Sequence, residues 1–121
     1  MKRFPSVKKS ADYQRAYQRG KSRANDCLAV YVFPNGMEGN RLGISCSKKI
    51  GNSVVRHGLA RKLREIFRRN KNLKQGLDII VVVRKASASA DYRKIERAYL
   101  ELCSRHHILE EEEMDGAMAE F

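Results

Sequence analysis

Residues 41–71 read RLGISCSKKIGNSVVRHGLARKLREIFRRNK, ten basic side chains around a single acid, Glu65. A stretch so charged can fold only if its charges stay in water while its few apolar positions are buried together. The spacing permits this. Residues 41–47 alternate Leu42, Ile44 and Cys46 with Gly43, Ser45 and Ser47, the period of two of a half-buried strand with one face of very small residues. Lys48-Lys49-Ile50-Gly51-Asn52 is a turn, after which Val55, Leu59, Leu63 and Ile66 recur at helical spacing. At about 100° per residue those four share a face, and His57, Arg61, Arg64 and Arg68 gather roughly opposite. Asn52 or Ser53 supplies an N-cap, and the open amides of the first turn, with Lys48 and Lys49 beside them, form a phosphate cradle. A charged helix face is most often plain solvated surface. The flanking lysines, the glycine turn and the shortage of acids point here to nucleic acid.

A chain of 121 residues suits one domain with a single packed core. Its net charge is +11, yet six of its 14 acids lie in residues 110–121, where there is no base. Residues 1–109 therefore carry 25 basic residues against eight acids, a net +17 that calls for a polyanionic partner. We expect an α/β domain over residues 1–109 and a disordered acidic tail over residues 110–121. Cys27, Cys46 and Cys103 are odd in number and far apart, which argues against a disulfide framework or a zinc site and for core thiols in a reducing cytoplasm. The basic start lacks the apolar run of a signal peptide, and the longest aliphatic run, residues 79–83, is too short to span a membrane. No helix pairs a basic face with exposed bulky aromatics, so membrane binding ranks low.

Taken in order, residues 1–9 are polar and basic and should be extended or mobile unless RNA or the core holds them. Ser10 offers an N-cap, Asp12 favours the first turn and Gly20 a stop, which predicts a helix over residues 11–19 with Tyr13 and Tyr17 on one face. Core packing and base stacking are equally good uses for that pair. Residues 20–26 read as a polar connector. Residues 27–33 read as a strand with Leu28, Val30 and Val32 facing the core and Cys27, Ala29, Tyr31 and Phe33 on the other side. Turn signals at Pro34-Asn35-Gly36 and Gly39-Asn40 suggest an antiparallel hairpin with the strand from Arg41. Tyr31 would then share a face with Ser45 and Ser47, and a cleft of aromatic and small residues would form if the first helix lies there. The apolar run at residues 77–83 reads as a central strand covered on both sides, closed by Arg84 and Lys85. Residues 86–90 read as a linker, and Asp91 caps a last helix whose Tyr92, Ile95, Tyr99, Leu102 and Cys103 face the sheet.

A protein nuclease needs a base, an acid or metal ligands gathered at the scissile phosphate. Here His57 stands among arginines, His106 and His107 end the last helix, and the acids of residues 1–109 show no pair at metal-ligand spacing. No catalytic residue and no metal ligand is assigned in the protein. The chain is equipped to position nucleic acid rather than to cut it.

Residues 41–67 resemble the signature of the bacterial ribonuclease P protein subunit, approximately R-x-G-x-S-V-S-K-K-x-G-N-A-V-x-R-N-R-x-K-R-x-x-R-E. Arg41, Gly43, Ser45, Ser47, Lys48, Lys49, Gly51, Asn52, Val54, Arg56, Arg61, Arg64 and Glu65 stand in register with it. The resemblance extends over roughly residues 4–109 and includes Tyr13, Tyr17, Tyr31 and Arg84-Lys85. It implies a small α/β two-layer sandwich, a mixed sheet of about four strands packed with three helices, with a left-handed βαβ crossover that general topology rules disfavour. It implies also a holoenzyme in which a large RNA carries out Mg²⁺-dependent removal of the 5′ leader of precursor tRNA. On that resemblance Lys48, Lys49, Asn52, Arg56, Arg61, Lys62, Arg64 and Arg68 would contact the catalytic RNA. Tyr13, Tyr17, Tyr31, Ser45, Ser47, Arg84 and Lys85 would line the leader cleft. The partners would be the catalytic RNA and precursor tRNA, with no obligate protein partner and Mg²⁺ held mainly by RNA. This chain departs from the signature at Arg56-His57-Gly58 and at Ala60, losing two charges and gaining a helix-weakening glycine. A ribosomal or other structural-RNA binder without a role in cleavage is the competing reading, and a self-sufficient nuclease a third.

Overall fold

The structure, a computed structural model, describes residues 4–110. The acidic stretch at residues 111–121 lies outside the described residues, so the expected tail is represented there by Glu110 alone. Three helices and four strands follow one another as α1 (Ser10–Arg19), β1 (Lys21–Ala24), β2 (Leu28–Pro34), β3 (Arg41–Ser45), α2 (Ser53–Arg69), β4 (Leu77–Val83) and α3 (Tyr92–Arg105). Short 3-10 turns at Lys48–Ile50 and Lys85–Ser89 follow β3 and β4.

The strands form one mixed sheet in the order β1-β2-β4-β3. The expected antiparallel hairpin between the strands at residues 27–33 and 41–47 does not form. Instead β4 lies between them, antiparallel to β2 and parallel to β3. The physical reason is burial: Ile79, Ile80 and Val81 are fully buried on alternating sides, and only a central strand can hide both faces. The parallel pair β3/β4 is joined through α2, which makes the βαβ unit. A second correction concerns residues 20–26. Lys21–Ala24 is a strand that pairs along β2, with all four side chains exposed. An edge strand stabilised by backbone pairing alone leaves no hydrophobic pattern to read.

One face of the sheet is closed. Leu28, Val30, Val32, Leu42, Ile79, Val81 and Val83 form a core with Leu59, Leu63 and Ile66 of α2 and Ile95, Tyr99, Leu102 and Cys103 of α3. Cys27 precedes β2 and joins this core rather than the side that bears Tyr31. Burial drives the Cys103 thiol up to about 12, so it is an inert core group. The other face carries a smaller cluster, Val7, Ala16 and Ile80, with Tyr13, Tyr31 and Phe33 packed on it, and α1 lies there.

Local chemistry accounts for the ends of the elements. Asn52 caps α2 by accepting the Val55 amide at 3.0 Å, and Asp91 caps α3 by accepting that of Lys94 at 2.9 Å. Ser10, in contrast, is the first residue of α1 and makes no capping bond; Lys9 holds the N-cap position. The expected linker at residues 86–90 is tied down, since buried Ser87 donates to the Cys27 carbonyl at 2.8 Å. The N-terminal stretch is held too. The Val7 amide donates to the Leu42 carbonyl and the Leu42 amide to the Pro5 carbonyl, both at 2.9 Å, so the outer edge of β3 is covered.

Candidate nucleic-acid interface

The basic stretch folds as strand, turn and helix. Gly51 has extended backbone, and its lack of a side chain matters for another reason: a Cβ there would come within 2.9 Å of Val55. The turn therefore seats tightly on the first turn of α2, whose leading amides, at Ser53 and Val54, have no intrahelical acceptor. Lys48, Lys49 and Asn52 are exposed around them. Arg56 is half-buried, and its Nε donates to the Gly51 carbonyl at 3.1 Å, so this side chain braces the turn as well as charging it. Burial raises the Cys46 thiol nearby, with Arg56 acting in the opposite sense.

Farther along α2, His57, Arg61, Arg64 and Arg68 are all exposed and Lys62 half-exposed, as the helical periodicity requires. Arg68 pairs with Glu65 one turn back, which holds the Glu65 carboxyl below its usual range. Gly58 interrupts neither the helix nor its basic face. A shallow dent of about 620 Å³ is lined by Gly58, Arg61, Lys62 and Arg64 of α2 together with Phe4 and Tyr92.

Arg41, one of the ten basic residues of the 41–71 stretch, has a different use. Its Nε donates to Asp78 Oδ1 at 2.8 Å and its terminal nitrogen to Asp78 Oδ2 at 2.6 Å, with Asp12 Oδ2 at 3.4 Å. Asp78 is buried, and Asn35 donates to it at 3.0 Å. This paired fork is satisfied within the protein, and it ties α1 to the sheet.

The tyrosines do come together. The rings of Tyr17 and Tyr31 meet edge to face at 4.9 Å, and those of Tyr13 and Tyr17 lie 6.3 Å apart. Tyr13 lies across Gly43, where a Cβ would stand 3.0 Å from its ring, and its hydroxyl accepts the Ile44 amide at 3.2 Å. Burial raises the Tyr13 hydroxyl, opposed by that bond. Tyr13 is thus largely committed to packing, whereas Tyr17 is 39% exposed.

Strand register shows what adjoins them. Tyr31, Ile80 and Gly43 stand in one row across the sheet, and the next row on the same side is Ala29, Val82 and Ser45, all half-buried. Beyond that row the turns bearing Ser47, Lys48 and Lys49, and Lys85, pack together at the end of the parallel pair. Ser47 and Lys85 are exposed, and Arg84 reaches back to the Asn25 carbonyl at 2.8 Å. The result is a shallow floor of small side chains with tyrosines along one side and bases at one end. Sequence reasoning missed Ala29 and Val82, because their adjacency to Ser45 depends on the strand order. Among the described residues no group of three or more His, Cys, Asp or Glu could hold a metal ion, and no helix is long and apolar enough to cross a membrane.

Comparison with known proteins speaks to this arrangement. The family model described as Ribonuclease P matches residues 1–107. The chain belongs to the ribonuclease P protein family. The ribonuclease P protein component of Lachnoclostridium phytofermentans is 44% identical over 111 residues, 91% of this chain and 96% of that protein. That of Caldanaerobacter subterraneus is 40% identical over 112 residues, 92% of this chain and 97% of its own. In three dimensions the RNase P protein of Staphylococcus aureus aligns with a TM-score of 0.82 at 34% identity, covering 88% of this chain and 99% of that one. The Thermotoga maritima protein aligns at 0.77, also at 34% identity, over 83% and 96%. The family works in tRNA 5′ processing, and the α/β architecture with three helices and a four-stranded mixed sheet is the one these proteins share.

Proposed function

We propose that this chain binds the catalytic RNA of ribonuclease P through the turn at Lys48–Ile50 and the exposed face of α2, and holds the 5′ leader of precursor tRNA on the floor beside Tyr17 and Tyr31. The observation that carries the reading is the half-covered row Ala29, Val82 and Ser45 between an exposed tyrosine and a basic sheet end. Unpaired bases stack on aromatic rings whatever their identity, and a floor of small residues lets a strand approach the sheet closely. Lys48, Lys49, Asn52, Arg61, Lys62, Arg64 and Arg68 would neutralise phosphates of the RNA, with Arg56 both bracing the turn and adding charge. Ser45, Ser47, Arg84 and Lys85 would contact the leader, and Tyr13 would support it from within the packed cluster.

Among the described residues no cluster of acids fits a Mg²⁺ site, and Asp12 and Asp78, which approach one another through Arg41, are both engaged by that arginine. We place the ion and the hydrolysis on the RNA, and the work in the cytoplasm. What this chain contributes is position and positive charge, which lowers the demand for free cations when two polyanions meet.

Cleavage of precursor tRNA by a bacterial ribonuclease P RNA, assayed at low Mg²⁺ with and without the protein, tests the reading. Stimulation by the protein, with no cleavage by the protein alone, is the expected result. Robust cleavage by protein freed of RNA, or no effect on the RNA, would overturn it. Arg61→Ala and Arg64→Ala should each weaken binding to that RNA and lower its salt dependence by about one phosphate contact, with folding unchanged.

A further inference from the structure

We propose that the acidic stretch following Leu109 docks on a groove at the C-terminal end of α2 and there competes with RNA for the basic surface. The groove encloses about 700 Å³. Its apolar wall is formed by Phe4, Pro5 and Phe67, with the two phenylalanine rings 5.7 Å apart, and Arg68 and Lys71 stand on its rim. It is separate from the tyrosine floor, which lies on the other face of the sheet.

The described chain ends beside this groove and points along it. Leu109 pairs antiparallel with Leu73, which lines the groove. The Glu110 amide donates to the Asn72 carbonyl and the Lys74 amide to the Ile108 carbonyl, both at 2.7 Å. That register carries the described chain past Asn72, next to Lys71 on the rim. Among the described residues Arg69, Lys71 and Lys74 have no acid within salt-bridge distance. The stretch itself, EEEEMDGAMAEF, complements both parts of the groove. Its six acids match the rim, and Met114, Met118 and Phe121 match the apolar wall. Eleven residues beyond Glu110 reach up to about 40 Å when extended, far enough to follow the groove and return.

Exposed ion pairs are individually weak and screened by salt, so the contact is reversible. The tether compensates by keeping the acids at an effective concentration on the order of millimolar. An RNA that offers only scattered phosphates then has to displace the stretch, whereas one that engages the turn and the whole face of α2 does so readily. The competition rests on the RNA-binding reading; the docking does not.

Two full-length variants test the proposal, one with Glu111→Gln, Glu112→Gln, Glu113→Gln and Asp115→Asn, the other with Met114→Ser, Met118→Ser and Phe121→Ser. Backbone hydrogen exchange over residues 67–75 at low salt reads docking, and affinity for a polyuridylate oligonucleotide reads competition. Both variants should exchange faster there than the natural chain. The neutralised variant should bind the oligonucleotide roughly three- to tenfold tighter at low salt, with the difference closing as salt is raised. Identical exchange in all three chains overturns the docking, even if affinity rises, because charge repulsion by an undocked stretch would explain that rise. Slower exchange in the variants than in the natural chain only when oligonucleotide is added makes RNA the occupant of the groove and overturns it as well. Faster exchange without any change in affinity overturns the competition while leaving the RNA-binding reading to its own cleavage assay.

Discussion

On one face of the sheet Leu28, Val30, Ile79 and Val81 are sealed under α2 and α3, whereas on the other Tyr31, Ala29, Val82 and Ser45 are only half covered by α1. The same strands build both faces, so the difference lies in what the alternate side chains are. The sealed face is branched aliphatic throughout, and burying each such side chain contributes roughly 1.5–3 kcal/mol. The half-covered face mixes a buried Ile80 and the branched Val82 with Tyr31, Ala29 and Ser45, small or amphipathic residues that gain less from burial and leave room for a ligand. Stability is concentrated on the sealed face, and the other face keeps the openness that the proposed leader contact needs. Even the half-covered face is uneven along its length: at the row of Phe33, Asp78 and Arg41 it is pinned by a buried ion pair, and at the row of Ala29, Val82 and Ser45 it is open.

The sharpest way to break this division is to remove the pin. Arg41→Ala leaves the Asp78 carboxylate buried with only Asn35 as a partner, and losing one side of a buried pair costs about 3–5 kcal/mol. Urea unfolding should show that loss directly. The double substitution Arg41→Met with Asp78→Leu should recover much of it, because no charge is then stranded. A loss below about 1 kcal/mol, the range of a surface pair, would mean that the pin is solvated and the face open at both ends.

Gly43→Ala is the next test, because it adds bulk where the two halves of the face meet. The new methyl would stand 2.6 Å from Ile80 Cδ1 and 3.0 Å from the Tyr13 ring, so α1 must shift or strain. Overpacking of this kind costs about 1–3 kcal/mol. Thermal unfolding should register it, and leader affinity should fall with it, since Tyr13 and Tyr17 ride on the same helix. Full stability with normal affinity would show that α1 floats freely over the sheet.

These contrasts explain what could be read in the chain and what could not. The helices were legible because burial on one side imposes a period, and Asn52 and Asp91 mark their starts with local bonds. The double coverage of β4 was legible from its apolar run. Strand order was not, because a strand's side chains record which face is buried and not which neighbour it pairs with. β1 was invisible for a related reason: its exposed Lys21, Ser22, Arg23 and Ala24 carry no burial signal at all. The tyrosine group and the basic face of α2 could be foreseen from spacing within single elements. The diversion of Arg41 to Asp78, 37 residues away, could not, and nor could the bracing bond of Arg56 to Gly51.

Tyr17→Ala sharpens the comparison from the recognition side. Its ring is partly exposed and meets Tyr31 at its edge, so folding should change little. Removing a ring that stacks on a base costs about 1–3 kcal/mol, which predicts a roughly ten- to hundredfold loss of affinity for leader-bearing precursor tRNA and almost none for mature tRNA. An equal loss for both would assign Tyr17 to the packing of the face rather than to the leader.

The smallest expected effect comes from Gly58→Ala, which touches neither face of the sheet. Gly58 lies within α2, and a Cβ there meets nothing within 4 Å, so the substitution acts on helix propensity alone and should stabilise the protein by about 1 kcal/mol. Because Gly58 lines the same dent as Arg61 and Lys62, the same methyl also probes how closely RNA approaches the helix. A rise in unfolding temperature with unchanged affinity for the catalytic RNA is the expected outcome, since long arginine and lysine side chains reach phosphates without contact to the helix backbone. A rise in unfolding temperature with weaker affinity would put a phosphate or base directly on the backbone at Gly58. That would give the departure from the family's signature at this position a role in recognition, and would bring the RNA contact from the long arginine and lysine side chains down to the backbone of α2.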